Sequence, residues 1–95
     1  MNFIMGREFT LFSSKETKSR SDIATFLHSL ADRLDTAEVT LRKGQDEIVL
    51  NLPDQMTLEL KVEDEEKRNK GLQHSLEIEL KWFDNDGPTG PVELG

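Results

Sequence analysis

Cysteine is absent from these 95 residues. That excludes a disulfide framework and any thiolate metal site, and it makes a reducing cytoplasm the simplest setting. Long hydrophobic runs are absent too. The apolar opening Met1-Asn2-Phe3-Ile4-Met5 is far too short for a signal-peptide core or a membrane span, so residues 1–6 read as a loose N-terminus and no membrane is expected. There is no Gly-rich phosphate loop, no nucleophile-elbow pattern around any serine and no internal repeat. Histidine is limited to His28 and His74.

Excess positive charge is lacking as well. The net charge is −7, and its placement is uneven: residues 1–37 hold five Lys/Arg and five Asp/Glu, whereas residues 38–95 hold seven and fourteen. An acidic second part argues against a phosphate backbone as partner, so no nucleic acid is expected, and the charge serves solubility. At 35% hydrophobic and 33% charged the chain is polar, yet its apolar residues are periodic, which favours folding over disorder. The length suits one small domain over residues 7–83, followed by a flexible acidic Gly/Pro tail over 84–95.

The clearest pattern is Leu76-Glu77-Ile78-Glu79-Leu80-Lys81-Trp82, where apolar and charged residues alternate as in a half-buried strand. It ends on the only Trp of the chain, with Phe83 next to it. Upstream, Arg7–Ser13 reads as a first strand with Phe9 and Leu11 on one face, although Phe12 interrupts the alternation. Ser19-Arg20-Ser21-Asp22 matches a capping box. Behind it, Ile23, Phe26, Leu27, Leu30, Ala31 and Leu34 form one stripe of an amphipathic helix over about 20–35.

The remainder reads as strands. Val39 and Leu41 point inward on one, Lys43-Gly44-Gln45-Asp46 is a turn, and Ile48, Leu50 and Leu52 continue the inward set until Pro53-Asp54. Met56, Leu58, Leu60 and Val62 line the next strand, and Asp64–Gly71 is expected to be a charged loop. The order β-α-β-β-β-β predicts an α+β, two-layer domain, one helix packed on a mostly antiparallel five-stranded sheet. The first strand can pair antiparallel with the last, or parallel with the second. For the last two strands, setting Leu60 opposite Leu80 brings Lys61 against Glu79 and Glu59 against Lys81, and charge favours this register over Leu60 opposite Ile78.

Ser19-Arg20, Ile23-Ala24, Leu30-Ala31-Asp32, Val39-Thr40-Leu41 and the closing Leu76–Trp82 strand resemble the amphi-Trp domain, a small family of bacterial and archaeal proteins, over roughly residues 8–83. The resemblance implies no established activity, no cofactor and no set of catalytic residues.

Chemistry is sparse. His28 and Asp32 share the polar side of the helix at i and i+4, but with His74 they make no ligand-spacing motif and read as surface residues. Asp84-Asn85-Asp86-Gly87 resembles part of a calcium loop without its distal Glu, and reads as a turn. Neither a catalytic group nor a metal site is predicted. Phe83, by contrast, falls on the outward, charged face by parity, where folding does not require it. A five-stranded sheet about 24 Å wide also exceeds the 10–12 Å or so that one helix covers. The expected function is therefore a non-catalytic interaction or self-association module, a homodimer or the complex of an unidentified protein, using the apolar surface around Trp82, Phe83, Leu80 and Met56. The alternative is a small-molecule or metal-binding protein with its site between helix and sheet.

Overall fold

A computed structural model of the chain describes residues 6–84. Helix formation starts at a side-chain cap. The Ser19 hydroxyl accepts from the Asp22 backbone N–H at 3.0 Å, and α1 runs Arg20–Asp35, as the capping pattern and apolar stripe predict. Its C-terminus closes on Thr36, whose backbone N–H and hydroxyl both donate to the Arg33 carbonyl, at 3.0 and 2.8 Å. Ala37 then turns the chain with φ 62°, the left-handed conformation that usually falls to glycine just past a helix. Its N–H donates to Leu34 O at 3.2 Å and its own carbonyl accepts from Leu52 at 2.8 Å. One alanine thus ends the helix and anchors the far end of the hairpin that follows.

That hairpin is β1 (Glu38–Lys43) and β2 (Asp46–Asn51), antiparallel and joined by Gly44-Gln45. Gly44 takes φ 60°, as a two-residue loop with glycine at its first central position requires. The register sets Val39 against Leu50 and Leu41 against Ile48. α1 packs on β1, the strand that carries Val39 and Leu41. Val39 is 5% exposed, the one buried hydrophobic residue among those described; Leu30, Leu34, Leu41, Ile48, Leu50 and Leu52 are half-buried around it. The stripe is covered only toward its C-terminal end, and Ile23, Phe26 and Leu27 stay exposed. On the outer side Arg42 and Glu47, directly opposed, form an ion pair at 2.8 Å.

The chain divides into two compact units, Met1–Leu52 and Pro53–Gly95. The second is built on β3 (Thr57–Lys67) and β4 (Gly71–Lys81), antiparallel partners of 11 residues each. Arg68-Asn69-Lys70 connects them, with Asn69 at φ 68° and Gly71 at φ 85°.

The chain is α+β, but three expectations are corrected. Among the described residues the five-stranded sheet is not formed: their four strands make two separate two-stranded sheets, β1-β2 and β3-β4. The first strand is absent, since residues 6–19 have no regular structure. Phe9 and Leu11 are too short a repeat, broken by Phe12, to specify a face, and the Arg7 guanidinium lies over the Phe9 ring at 5.7 Å instead. Finally, the charged loop 64–71 is strand on both sides of a three-residue connection. Apolar content is not what holds that segment in line. Asp64 Oδ1 meets His74 Nδ1 across the ladder at 2.6 Å, and Lys67 meets Glu65 along the strand at 3.1 Å.

Candidate interaction surface

The β3–β4 register decides which side chains share a face. Leu58 lies opposite Leu80, Leu60 opposite Ile78 and Val62 opposite Leu76, and the series continues through Asp64–His74 and Glu66–Leu72. Side chains alternate across a strand, so one face is an apolar ladder that turns polar toward the hairpin tip. The other face carries Thr57, Glu59, Lys61, Glu63, Glu65 and Lys67 opposite Lys81, Glu79, Glu77, Ser75, Gln73 and Gly71 respectively.

This overturns the preferred charge register, in which Leu60 met Leu80. The observed alignment does place Glu59 opposite Glu79. Lys81, however, sits beside both, 2.5 Å from Glu59 and 3.9 Å from Glu79, and so relieves the like-charge contact diagonally. Lys61 likewise serves Glu63 at 2.8 Å and Glu77 at 3.8 Å. Long side chains reach diagonal neighbours, and counting only direct pairs missed this. The connection contributes too: Asn69 readily takes the left-handed conformation, and a turn centred on it fixes the observed pairing. The hydrogen bond and charge of Lys81 hold the Glu59 carboxyl below its ordinary pKa, and Glu59 in turn raises Lys81. Lys61 is raised chiefly by its hydrogen bond to Glu63. All of these groups are exposed, so the pairs order the face more than they stabilise the fold.

The apolar face is bare. Leu58, Leu60, Val62, Leu76 and Ile78 are between 55% and 74% exposed, and only Leu80 is half-buried. Where β4 ends, Leu80, Trp82 and Phe83 line one open groove with Thr57 and Lys81. Three of the four residues singled out from the sequence therefore come together. Trp82 is half-buried and Phe83 is 77% exposed. Met56, half-buried just ahead of β3, is not among the lining residues. Sequence reasoning missed Leu72, which extends the apolar side toward the tip; its parity with Leu76 was the available signal, hidden by reading the segment before it as loop.

A second groove lies in the first unit, between the end of α1 and the outer side of β1, lined by Arg33, Thr36, Glu38, Thr40 and Arg42. Its lining does not favour an anion. Arg42 is held by Glu47, Glu38 is in the wall, and the helix presents its negative end there. Neither histidine is part of it. His74 on β4 is engaged by Asp64 on β3, and His28 and Asp32 are exposed on α1. No group of three or more metal-ligating side chains occurs among the described residues. Asn85 to Gly87 of the calcium-loop-like turn, the Phe3-Ile4 segment and the Gly/Pro tail beyond Asp84 lie outside the described residues.

No described helix is long and apolar enough to cross a membrane. No curated protein and no solved structure matches the chain. A family model, the Amphi-Trp domain, matches residues 5–94, which takes in the capped helix, both hairpins and the tryptophan that closes the last strand. The chain belongs to the Amphi-Trp domain family.

Proposed function

We propose that the protein is a non-catalytic self-association module in which other copies of the chain cover the apolar face of β3–β4 beside Trp82. The ladder Leu58/Leu80, Leu60/Ile78, Val62/Leu76 carries this reading, because it gathers large apolar side chains on one face at high exposure. A contiguous patch of this kind on a soluble domain marks a contact surface. The charged opposite face keeps the hairpin soluble and directs association to one side. The lack of cysteine suits a cytoplasmic setting, and the net charge of −7 disfavours nucleic acid or an anionic membrane as the partner.

Sedimentation over a wide concentration range, at low and at moderate salt, tests the reading. Mass should rise with concentration and rise sooner at moderate salt, where self-repulsion is screened. Trp82 fluorescence should become protected from quencher over the same range. A monomer at every concentration, with Trp82 already shielded, overturns the proposal. A thermal-shift screen of metals and metabolites addresses the small-molecule alternative, and a ligand-specific shift there would favour that alternative.

A further inference from the structure

We infer that copies of this chain join through the outer edge of β4, pairing it antiparallel with β4 of a second copy about a two-fold axis at Leu76. The inference rests on the self-association reading and specifies its geometry. A single hairpin face is small: 11 residues of strand by two strands is about 35 Å by 10 Å. That gives about 350 Å² on each side, well short of the roughly 800 Å² per partner of a stable interface. Stacking one hairpin on another is therefore insufficient by itself. Edge pairing doubles the width to four strands before any face is covered, and it supplies main-chain hydrogen bonds that a face contact lacks.

Among the described residues, β4 is hydrogen-bonded to β3 alone, and β3 to β4 alone, so each hairpin has two outer edges. Their charge separates them. β3 carries Glu59, Lys61, Glu63, Asp64, Glu65, Glu66 and Lys67, whereas Gly71–Leu76 of β4 contains no Asp, Glu, Lys or Arg. Self-pairing β3 over its full length would put Glu59 against Glu65 of the second copy twice, with Asp64 and Glu66 against leucines. Self-pairing β4 about Leu76 matches all of Gly71–Lys81 and opposes no like charges. Leu76 then meets Leu76, Leu72 meets Leu80, His74 meets Ile78, Ser75 meets Glu77, Gln73 meets Glu79 and Gly71 meets Lys81. Centring on Glu77 or Ile78 instead sets glutamates against each other, and centring on Ser75 leaves Leu80 and Lys81 unpaired. The apolar ladders of both copies remain on the same side of the joined sheet. Its outermost strands are the two charged β3 edges, which resist further strand addition, so edge growth stops at a pair rather than a fibre, and a second pair covers the joined apolar face.

The absence of native cysteine permits a clean test on the full chain. Leu76→Cys, at a position 67% exposed and so tolerant of change, places two thiols directly opposite each other at the axis. Opposed Cβ atoms lie about 4.5–5.5 Å apart, close to disulfide reach. Single Ser75→Cys and Ile78→Cys variants serve as register controls, and an equimolar mixture of His74→Cys with Ile78→Cys provides a second opposed pair. The expected result is oxidation to a covalent dimer about ten-fold faster for Leu76→Cys than for Ile78→Cys, whose thiols would sit about 13 Å apart. The mixture should give a heterodimer faster than either variant cross-links with itself. Sedimentation of the unmodified chain is run alongside. An even-numbered assembly with this cross-linking pattern supports the pairing. An assembly in which Leu76→Cys is no faster than the controls overturns the pairing and leaves the self-association reading standing. A monomer at all concentrations overturns both.

Discussion

The two hairpins of this protein are built from similar alternation and have different fates. In the first, β1 packs on a helix, Val39 is buried, and six further apolar residues of the same unit are half-buried. In β3–β4 the ladder is longer and as regular, yet every strand residue except Leu80 is exposed. Alternation therefore fixes which residues share a face, but not what lies against that face. A covered face contributes to the stability of its own chain. A bare one is available to another molecule.

Paired substitutions break this comparison most sharply. Val39→Ala removes buried methyl groups beneath α1 and should lower stability by about 2 kcal/mol in urea unfolding. Val62→Ala, at the same residue type on the exposed ladder, should change the dilute protein by less than about 0.5 kcal/mol. Equal losses would mean that the ladder is as well covered as the Val39 core.

Backbone effects come next. Asn69 and Ala37 both take positive φ, one at the tip of the exposed hairpin and one at the end of the helix. Asn69→Val asks a β-branched residue to adopt the left-handed region and should cost about 1–2 kcal/mol or shift the β3–β4 register, visible in cross-strand amide contacts. Ala37→Gly should do the reverse in the first unit, raising the unfolding midpoint by the equivalent of about 1 kcal/mol. A loss on Ala37→Gly would mean that chain entropy in the unfolded state outweighs relief of the backbone.

Much of this was legible in the sequence, for reasons that differ by element. Ser19 and Asp22 mark the helix start through an interaction spanning three residues, and the apolar stripe behind them is long enough to be unambiguous. Gly44 marks its turn in the same local way. Leu80, Trp82 and Phe83 stand close in sequence at the end of one strand, but parity set Phe83 on the opposite face, and the groove all three line was not read from it. The sheet as a whole was not legible, because strand partnership is non-local: nothing in Phe9 or Leu11 states whether a partner exists. Absence of apolar residues also misled. Asp64–Lys67 extends β3 through ion pairs and backbone bonds, which hydrophobic periodicity does not register.

The smallest expected effect concerns the ion pairs that order the charged face. Glu59 is lowered by Lys81, and a carboxylate lowered in the folded state contributes stability above its unfolded pKa and loses it as pH falls through the folded one. Lys81 and Lys61 are raised, so their contributions are complete below the ordinary lysine pKa and fade only as pH climbs through the higher folded values. The hairpin should therefore keep these contributions at neutral pH and weaken slightly at both extremes. Glu59→Gln removes the acid limb and leaves the Lys61 part of the alkaline one. The groups are fully exposed, so the change should be smaller than any above and should shrink further in salt. Amide exchange in β3–β4 against pH, for the parent chain and Glu59→Gln, is the measurement. The β1–β2 hairpin provides the internal comparison. Protection that falls in β1–β2 rather than in β3–β4 as acid is added would show that the Lys81 bridge does not order this face, and that the register is held by the Asn69 turn and the apolar ladder alone.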